Sequence, residues 1–312
     1  MPASPLSRTT RAAAGLTGAL ALVLLGACAP ADSGTTAAGG SSSSATASAG
    51  ADASASASAT ADACAKDSLK TLAPGKFTFA TDQPVYEPWF VDNKPENGKG
   101  FEGAVAAAVA KQLGYSPDEV VWTRVPFNAA IAPGPKKFDA DINEFSITDE
   151  RKKAVDFSSP YYDVTQAVIA LDKSKAAGAT DVAALKGLKI GAQVGTTSYN
   201  AIVNQIKPSS KPAVFNTNDD AVKALQNGQI DALVTDLPTA FYITAAQVQG
   251  SKIVGQLPAG SGTPEQFGMV LDKGSALTDC VSKAVDAIKA DGTLDAITKQ
   301  WLTADAGAPV LK

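Results

Sequence analysis

From Lys76 onward, short apolar runs alternate with stretches whose apolar residues recur every three or four positions. "KFTFAT" (76–81) reads as a strand. "GFEGAVAAAVAKQLG" sets Phe101, Val105, Val109 and Leu113 along one helical face and stops at Gly114. "VVWTRV", "FDADI" and "QAVIAL" read as strands, and "TDERKKAV" as a short helix capped by Thr148. The same grammar then restarts. Strands are expected in "LKIGAQ", "AVFNT", "IDALVTD" and "KIVG", and helices in "TTSYNAIVNQIK", "NDDAVKALQNG" and "LPTAFYITAAQV". "FGMVLD" closes as a strand, followed by helices over 275–290 and 293–303. Strand and helix alternating through two rounds predict two α/β units, each with a mostly parallel sheet.

The chain before Lys76 follows other rules. Arg8 and Arg11 precede "AAAGLTGALALVLL", an apolar core too short for a comfortable membrane span, and small residues follow. Residues 1–27 therefore read as an export signal. "LGAC", ending at Cys28, resembles a bacterial lipobox, in which the cysteine becomes the lipid-bearing first residue; an ordinary signal peptide with an incidental cysteine is the alternative. Residues 28–64 are almost wholly Ala, Ser, Gly and Thr and cannot bury enough surface to offset their ordering entropy. A disordered tether is expected there, holding a folded part, 65–312, away from a membrane surface. Cys64 and Cys280 remain as an even pair in an exported chain, which predicts one disulfide; two buried thiols are the alternative.

Composition removes several functions. The 312 residues include no histidine, which excludes histidine acid–base chemistry, Ser-His-Asp triads and His-ligated metals. No CxxC or zinc spacing occurs, so neither a metal nor a cofactor is expected. Basic residues number 27 against 31 acidic, and 25 against 31 once residues 1–27 are removed, a net charge of −6. Lys and Arg cluster only as pairs such as Lys136-Lys137, so nucleic acid has no footprint. No oligomer signature is visible, and a monomer is expected.

Parallel α/β sheets bind ligands beyond the carboxyl ends of their strands, and three polar junctions lie there. "TDQPVYEPWF" carries Tyr86 and Trp89 between prolines, with Trp89 also readable as a core plug. "DINEFSITDER" brings Ser146 and Thr148 before a short helix whose free amides suit an anion, with Arg151 one turn in, on the same side as Thr148. An arginine fork beside free amides makes a carboxylate clamp, although Arg151 alone reads equally as a solvated charge. In "GAQVGTTSYN", Gly195, Thr196 and Thr197 open another helix suited to an anion, or serve as its cap. No lysine follows Gly195, which disfavours a phosphate and leaves a carboxylate.

"FSITDERKKAVDFSSPYY", "GAQVGTTS", "ALQNGQIDALVTD" and "ALTDCVSKAVDAIKADGTLDAITKQWL", in that order, resemble the extracytoplasmic solute-binding proteins (family 3) of polar amino-acid ABC importers over residues 70–303. The resemblance implies an α/β, two-lobe periplasmic-binding-protein-like (type II) fold with two hinge strands. Lobe one would hold 65–167 and 268–312, lobe two 168–267, with crossings near "TQAV" and "PEQFG". It implies an amino-acid ligand, delivery to ABC permease subunits by hinge closure, and contact with the membrane only through a lipid anchor on the extracytoplasmic face. By the same resemblance, Arg151 pairs with the ligand's α-carboxylate, with Ser146, Gly195, Thr196 and Thr197 around it. Asn143 and Asp236 take the ammonium, and Tyr86 and Phe127 sandwich the side chain. Glu144 departs from the family pattern: it either faces a cationic or amide side chain of the ligand or points away and braces Arg151. An exported lyase or a ligand sensor on the same fold is the competing reading.

Overall fold

A computed structural model of the chain describes residues 63–259, 264–302 and 308–312. The export signal, Cys28 and nearly all of the tether fall outside these residues. The first lobe opens with β1 (Phe77–Thr81), α1 (Phe101–Gln112), β2 (Val120–Arg124), α2 (Phe127–Ala130), β3 (Ala140–Asp141), β4 (Val155–Phe157) and β5 (Tyr162–Val164). The second lobe follows as β6 (Gln166–Leu171), β7 (Ile190–Gln193), α3 (Thr197–Ala201), β8 (Ala213–Phe215), α4 (Asn218–Gln226), β9 (Ala232–Asp236), α5 (Leu237–Tyr242) and β10 (Ser251–Gln256). β11 (Glu265–Phe267) leads back to β12 (Val270–Asp272), α6 (Thr278–Ala290) and α7 (Thr293–Trp301).

Each lobe is built on a five-stranded sheet, ordered β2-β1-β3-β12-β4 in lobe one and β10-β6-β9-β7-β8 in lobe two. The expectation of mostly parallel sheets holds for four of the five strands in each, with one strand reversed. β1 is parallel to β2 and β3, and β7 to β8 and β9, but β12 and β6 run antiparallel to both their neighbours. Those two strands enter each lobe from the opposite one, so the crossing itself sets their direction. In the crossings, β5 and β11 pair as an antiparallel two-stranded ribbon, Tyr162 opposite Phe267.

Why the strands are almost wholly apolar is plain from β6, all six residues of which are buried. Side chains alternate between faces. Ala167, Ile169 and Leu171 therefore join the core under α4 and α5, while Val168 and Ala170 join the core under α3. In lobe one, Phe77 and Phe79 pack with Phe101, Val105 and Val109 of α1 and with Val281 and Val285 of α6. Cys64 and Cys280 form a disulfide, tying the start of the described chain to α6.

Three further departures from the sequence expectations occur. The helix expected at Thr148 is a single 3-10 turn, Arg151–Lys153, and the Arg151 amide donates to Thr148 Oγ1 at 3.2 Å, so it is not a free anion-binding amide. The helices after β7 and β9 change to π-helical turns, Ile202–Ile206 and Ile243–Gln247. Residues 308–312, expected in lobe one, lie on lobe two. Gln256 donates to Pro309 O at 2.7 Å, Leu311 returns a bond to Gln256 O at 2.9 Å, and the Leu311 side chain enters the core of lobe two. Gly255 makes room for it, since a Cβ there would stand 2.8 Å from Leu311 Cγ.

Candidate functional site

A cavity of about 330 Å³ lies between the lobes. Its walls come from segments that leave the carboxyl ends of strands: Asp82 to Tyr86 after β1, Asn143 to Ser146 after β3, Thr196 to Ser198 after β7, Asn216 to Asp219 after β8, and Asp236 at the end of β9. Such strand ends are where an α/β sheet exposes backbone amides to a ligand. The volume is at the low end of small-molecule clefts, about 300–1,000 Å³, and suits one small solute.

Arg151 stands at its centre and is buried, not solvated. Its guanidinium donates through Nη1 to Ser146 O at 2.8 Å and through Nη2 to Gly195 O, on the other lobe, at 3.0 Å. Its Cζ lies 5.3 Å from the centre of the Phe127 ring, which stacks in turn on Phe145. Burial pushes the guanidinium down, and Glu265 and Asp236 oppose that shift. Gly195 has φ +76°, and a Cβ there would meet Asn128 Oδ1 at 2.5 Å, so a glycine lets the two lobes approach to this distance.

The other candidates fall around this centre. Tyr86, Phe127, Asn143, Glu144, Ser146, Thr196, Thr197 and Asp236 all line the cavity, and Gly195 contributes its carbonyl behind the wall. Thr196 caps α3, accepting from Tyr199 N at 3.2 Å, so it is engaged as a cap. Ser146 Oγ of lobe one lies 3.2 Å from Thr197 Oγ1 of lobe two. Tyr86 OH donates to Asp219 across the cleft; burial, and then this bond, push the phenol up and keep it protonated. Burial pushes the Asp236 carboxyl well up, and neighbouring Glu265 and Glu144 push it further.

Glu144 lines the cavity and does not brace Arg151, whose side-chain bonds go to the carbonyls of Ser146 and Gly195. It has left-handed backbone, φ +53°, and its Oε2 accepts from Thr239 Oγ1 of lobe two at 2.7 Å. Thr239 in turn accepts from Trp89 Nε1 at 2.7 Å, so the core-plug tryptophan also reaches across the cleft. On its inner side the Glu144 amide donates to Glu102 Oε1 at 2.6 Å, an oxygen that also accepts from Tyr161 OH. Burial pushes Glu102 and Glu144 up to about 8; Asp141 and Asp236 add to the shift of Glu102 and Glu102 to that of Glu144, while the bonds from Tyr161 and the Glu144 amide oppose the first and the bond from Thr239 the second.

Sequence reasoning missed Glu102, Gln166, Asp219, Thr239 and Glu265. Gln166 Nε2 donates to Asp236 Oδ1 at 2.6 Å and to Glu265 Oε2 at 3.0 Å, and Glu265 Oε1 accepts from Ser146 Oγ. One signal was available: Glu102 is an acid inside the apolar run "GFEGAVAAAVA". Among the described residues, the one cluster with metal-ligand spacing is Cys64, Asp279 and Cys280, and its two sulfurs are bonded to each other.

Comparison with known proteins agrees with this geometry. The family model for bacterial extracellular solute-binding proteins, family 3, matches residues 77–304. A probable histidine-binding protein of Campylobacter jejuni is 30% identical over 70% of this chain and 82% of its own. The ABC transporter arginine-binding protein 1 of Escherichia coli is 34% identical over 65% of this chain and 81% of its own. Among solved structures, an ancestral arginine-binding protein bound to arginine is 33% identical, covers 73% of this chain and 98% of its own, and superposes with a TM-score of 0.59. With the matched region spanning both lobes and every wall of the cleft, this chain belongs to the bacterial extracellular solute-binding proteins of family 3.

Proposed function

We propose that this protein captures an α-amino acid with a positively charged side chain outside the cytoplasm and delivers it to the permease subunits of an ABC importer by closing its lobes. The observation that carries the reading is Arg151, stacked on Phe127 and bridging the carbonyls of Ser146 and Gly195 from opposite lobes. A guanidinium has five N–H donors, so the fork has donors to spare for an α-carboxylate, with Thr197 beside it. Asp236 stands ready for the α-ammonium, and Asn143 lines the same wall. Tyr86 and Phe127 flank the space for the side chain. The acidic lining favours its class: among the described residues Asp82, Glu144, Asp219 and Asp236 line the cavity, Arg151 is the one basic residue there, and a cation on the ligand would bring the raised Glu144 and Asp236 carboxyls back toward their charged forms. The similarity to arginine-binding relatives points the same way.

Residues 1–27 serve as an export signal in this reading, and Cys28 carries a lipid that anchors the monomer at the extracytoplasmic face of the cell membrane. Mass spectrometry of the mature membrane-extracted protein tests this. A diacylglyceryl mass on Cys28 supports the anchor, and cleavage elsewhere with no lipid removes it.

Closure follows from differential contact. Ligand bonded to both lobes favours the closed arrangement by as much as its affinity for that state exceeds its affinity for the open one. A micromolar dissociation constant corresponds to about 8 kcal/mol. Removing one partner of a buried charge pair costs about 2–5 kcal/mol, so Arg151→Ala is expected to weaken binding roughly thirty-fold to several thousand-fold. Calorimetric titration of protein unfolded and refolded to strip carried ligand, against the twenty amino acids, ornithine and citrulline, checks both claims. Tight one-to-one binding of arginine, lysine or ornithine is expected. A loss under threefold in Arg151→Ala would contradict the clamp. Turnover of the bound solute would make the protein an enzyme.

A further inference from the structure

Gln166 and Glu265 do not line the cavity, yet each bonds residues that do. They lie on opposite crossings, Gln166 at the start of β6 and Glu265 at the start of β11. The Gln166 amide nitrogen touches two carboxylates, Asp236 and Glu265. Its orientation follows from that: with nitrogen and oxygen exchanged, three acceptors would face one another. The amide oxygen is then buried and has no hydrogen-bond partner among the described residues, on a side chain only 5% exposed. Arg151 does not relieve the two carboxylates by direct contact, because its side-chain bonds go to the carbonyls of Ser146 and Gly195 and no ion pair joins it to either acid among the described residues.

At the junction of the hinge strands the two acids therefore share one amide nitrogen and feel Arg151 only without direct contact. A single nitrogen already touches both acids, so their spacing is one that an ammonium nitrogen also spans. We propose that Glu265, acting through Gln166, is a positioning and specificity-determining residue that makes closure conditional on a primary ammonium group in the ligand. The inference rests on the reading of the cleft as an amino-acid site. Glu265 holds Ser146 Oγ and, through the Gln166 amide, steadies Asp236. Its charge raises the cost of closing on a solute that brings a carboxylate and no cation to this corner. Because it sits on the returning crossing, that cost falls on the element about which the lobes turn.

The test compares the tightest amino acid of the titration panel with the same molecule lacking its α-ammonium; for arginine this is 5-guanidinopentanoic acid. Dissociation constants for both are measured on wild-type protein and on Glu265→Gln and Glu265→Asp. The readout is the ratio of the two constants, because a merely structural defect weakens both ligands alike. Glu265→Gln is expected to lower the preference for the ammonium form by roughly tenfold, and Glu265→Asp, which keeps the charge, to retain most of it. Should Glu265→Gln not fold, the ratio in Gln166→Leu decides, with the same loss expected. A ratio within twofold of wild type in the folded variant overturns this inference and leaves the amino-acid reading standing. Wild-type protein that binds no amino acid overturns both.

Discussion

Glu102 sits on the buried side of α1 among Phe101, Val105 and Val109, with its Oε1 bonded by Tyr161 and by the amide of Glu144. Its other oxygen is buried without a partner among the described residues. An acid pushed up to about 8 by burial keeps its proton in the folded protein, where the unfolded chain releases it near pH 4.5. The folded state then binds more protons than the unfolded one across that interval. Its stability is greatest below about pH 4.5 and declines as pH rises toward 8, by at most about 1.4 kcal/mol per pH unit for each proton. Glu102→Gln keeps the accepting oxygen and removes the titration. Melting temperatures from pH 5 to 8 are expected to fall less steeply in Glu102→Gln than in wild type, and parallel curves would sink the assignment. Arg151 reads from its own stretch equally as a solvated charge; the resemblance puts it at the cleft, and the structure has it buried in the cavity wall. The contacts of Glu144 were not legible in the sequence, because Glu102 and Thr239 lie 42 and 95 positions away along the chain.

At the scale of elements, the periodicity located most strands and helices, since β1, β6, β7 and β9 are apolar enough to be buried on both faces. It missed the β5 and β11 ribbon, whose three-residue strands are too short to show a period. It also missed the one reversed strand in each sheet, β12 and β6, because strand direction depends on where the chain comes from. Residues 308–312 were assigned to lobe one by continuity, while Leu311 finds its buried place beside Gly255 of lobe two. The disulfide joins elements 216 positions apart, Cys64 to α6. Closing so long a loop in the unfolded chain makes the bond worth about 2–5 kcal/mol. Reduction, or Cys64→Ser with Cys280→Ser, is expected to lower the denaturant midpoint by a corresponding amount while ligand affinity stays within about threefold. A large loss of affinity would mean that the bond shapes the cleft.

For the whole molecule, what matters is how the two lobes hold each other. Trp89 to Thr239, Thr239 to Glu144, Tyr86 to Asp219 and Arg151 to Gly195 all cross the cleft, so the described arrangement is a closed one. A neutral hydrogen bond contributes about 1 kcal/mol net, so Trp89→Phe, which keeps the core-filling ring and loses the donor, is expected to weaken ligand binding about fivefold. Small-angle scattering of the ligand-free variant is expected to show a larger radius of gyration than wild type. An unchanged radius and affinity would show that this bond is not part of the latch. The disulfide also has a mechanical consequence. Force applied through the chain ahead of Cys64 is handed at once to α6, and from there to the core of lobe one, without unzipping β1 from its sheet. A molecule held by that end is gripped by lobe one alone, and lobe two is the part left to swing.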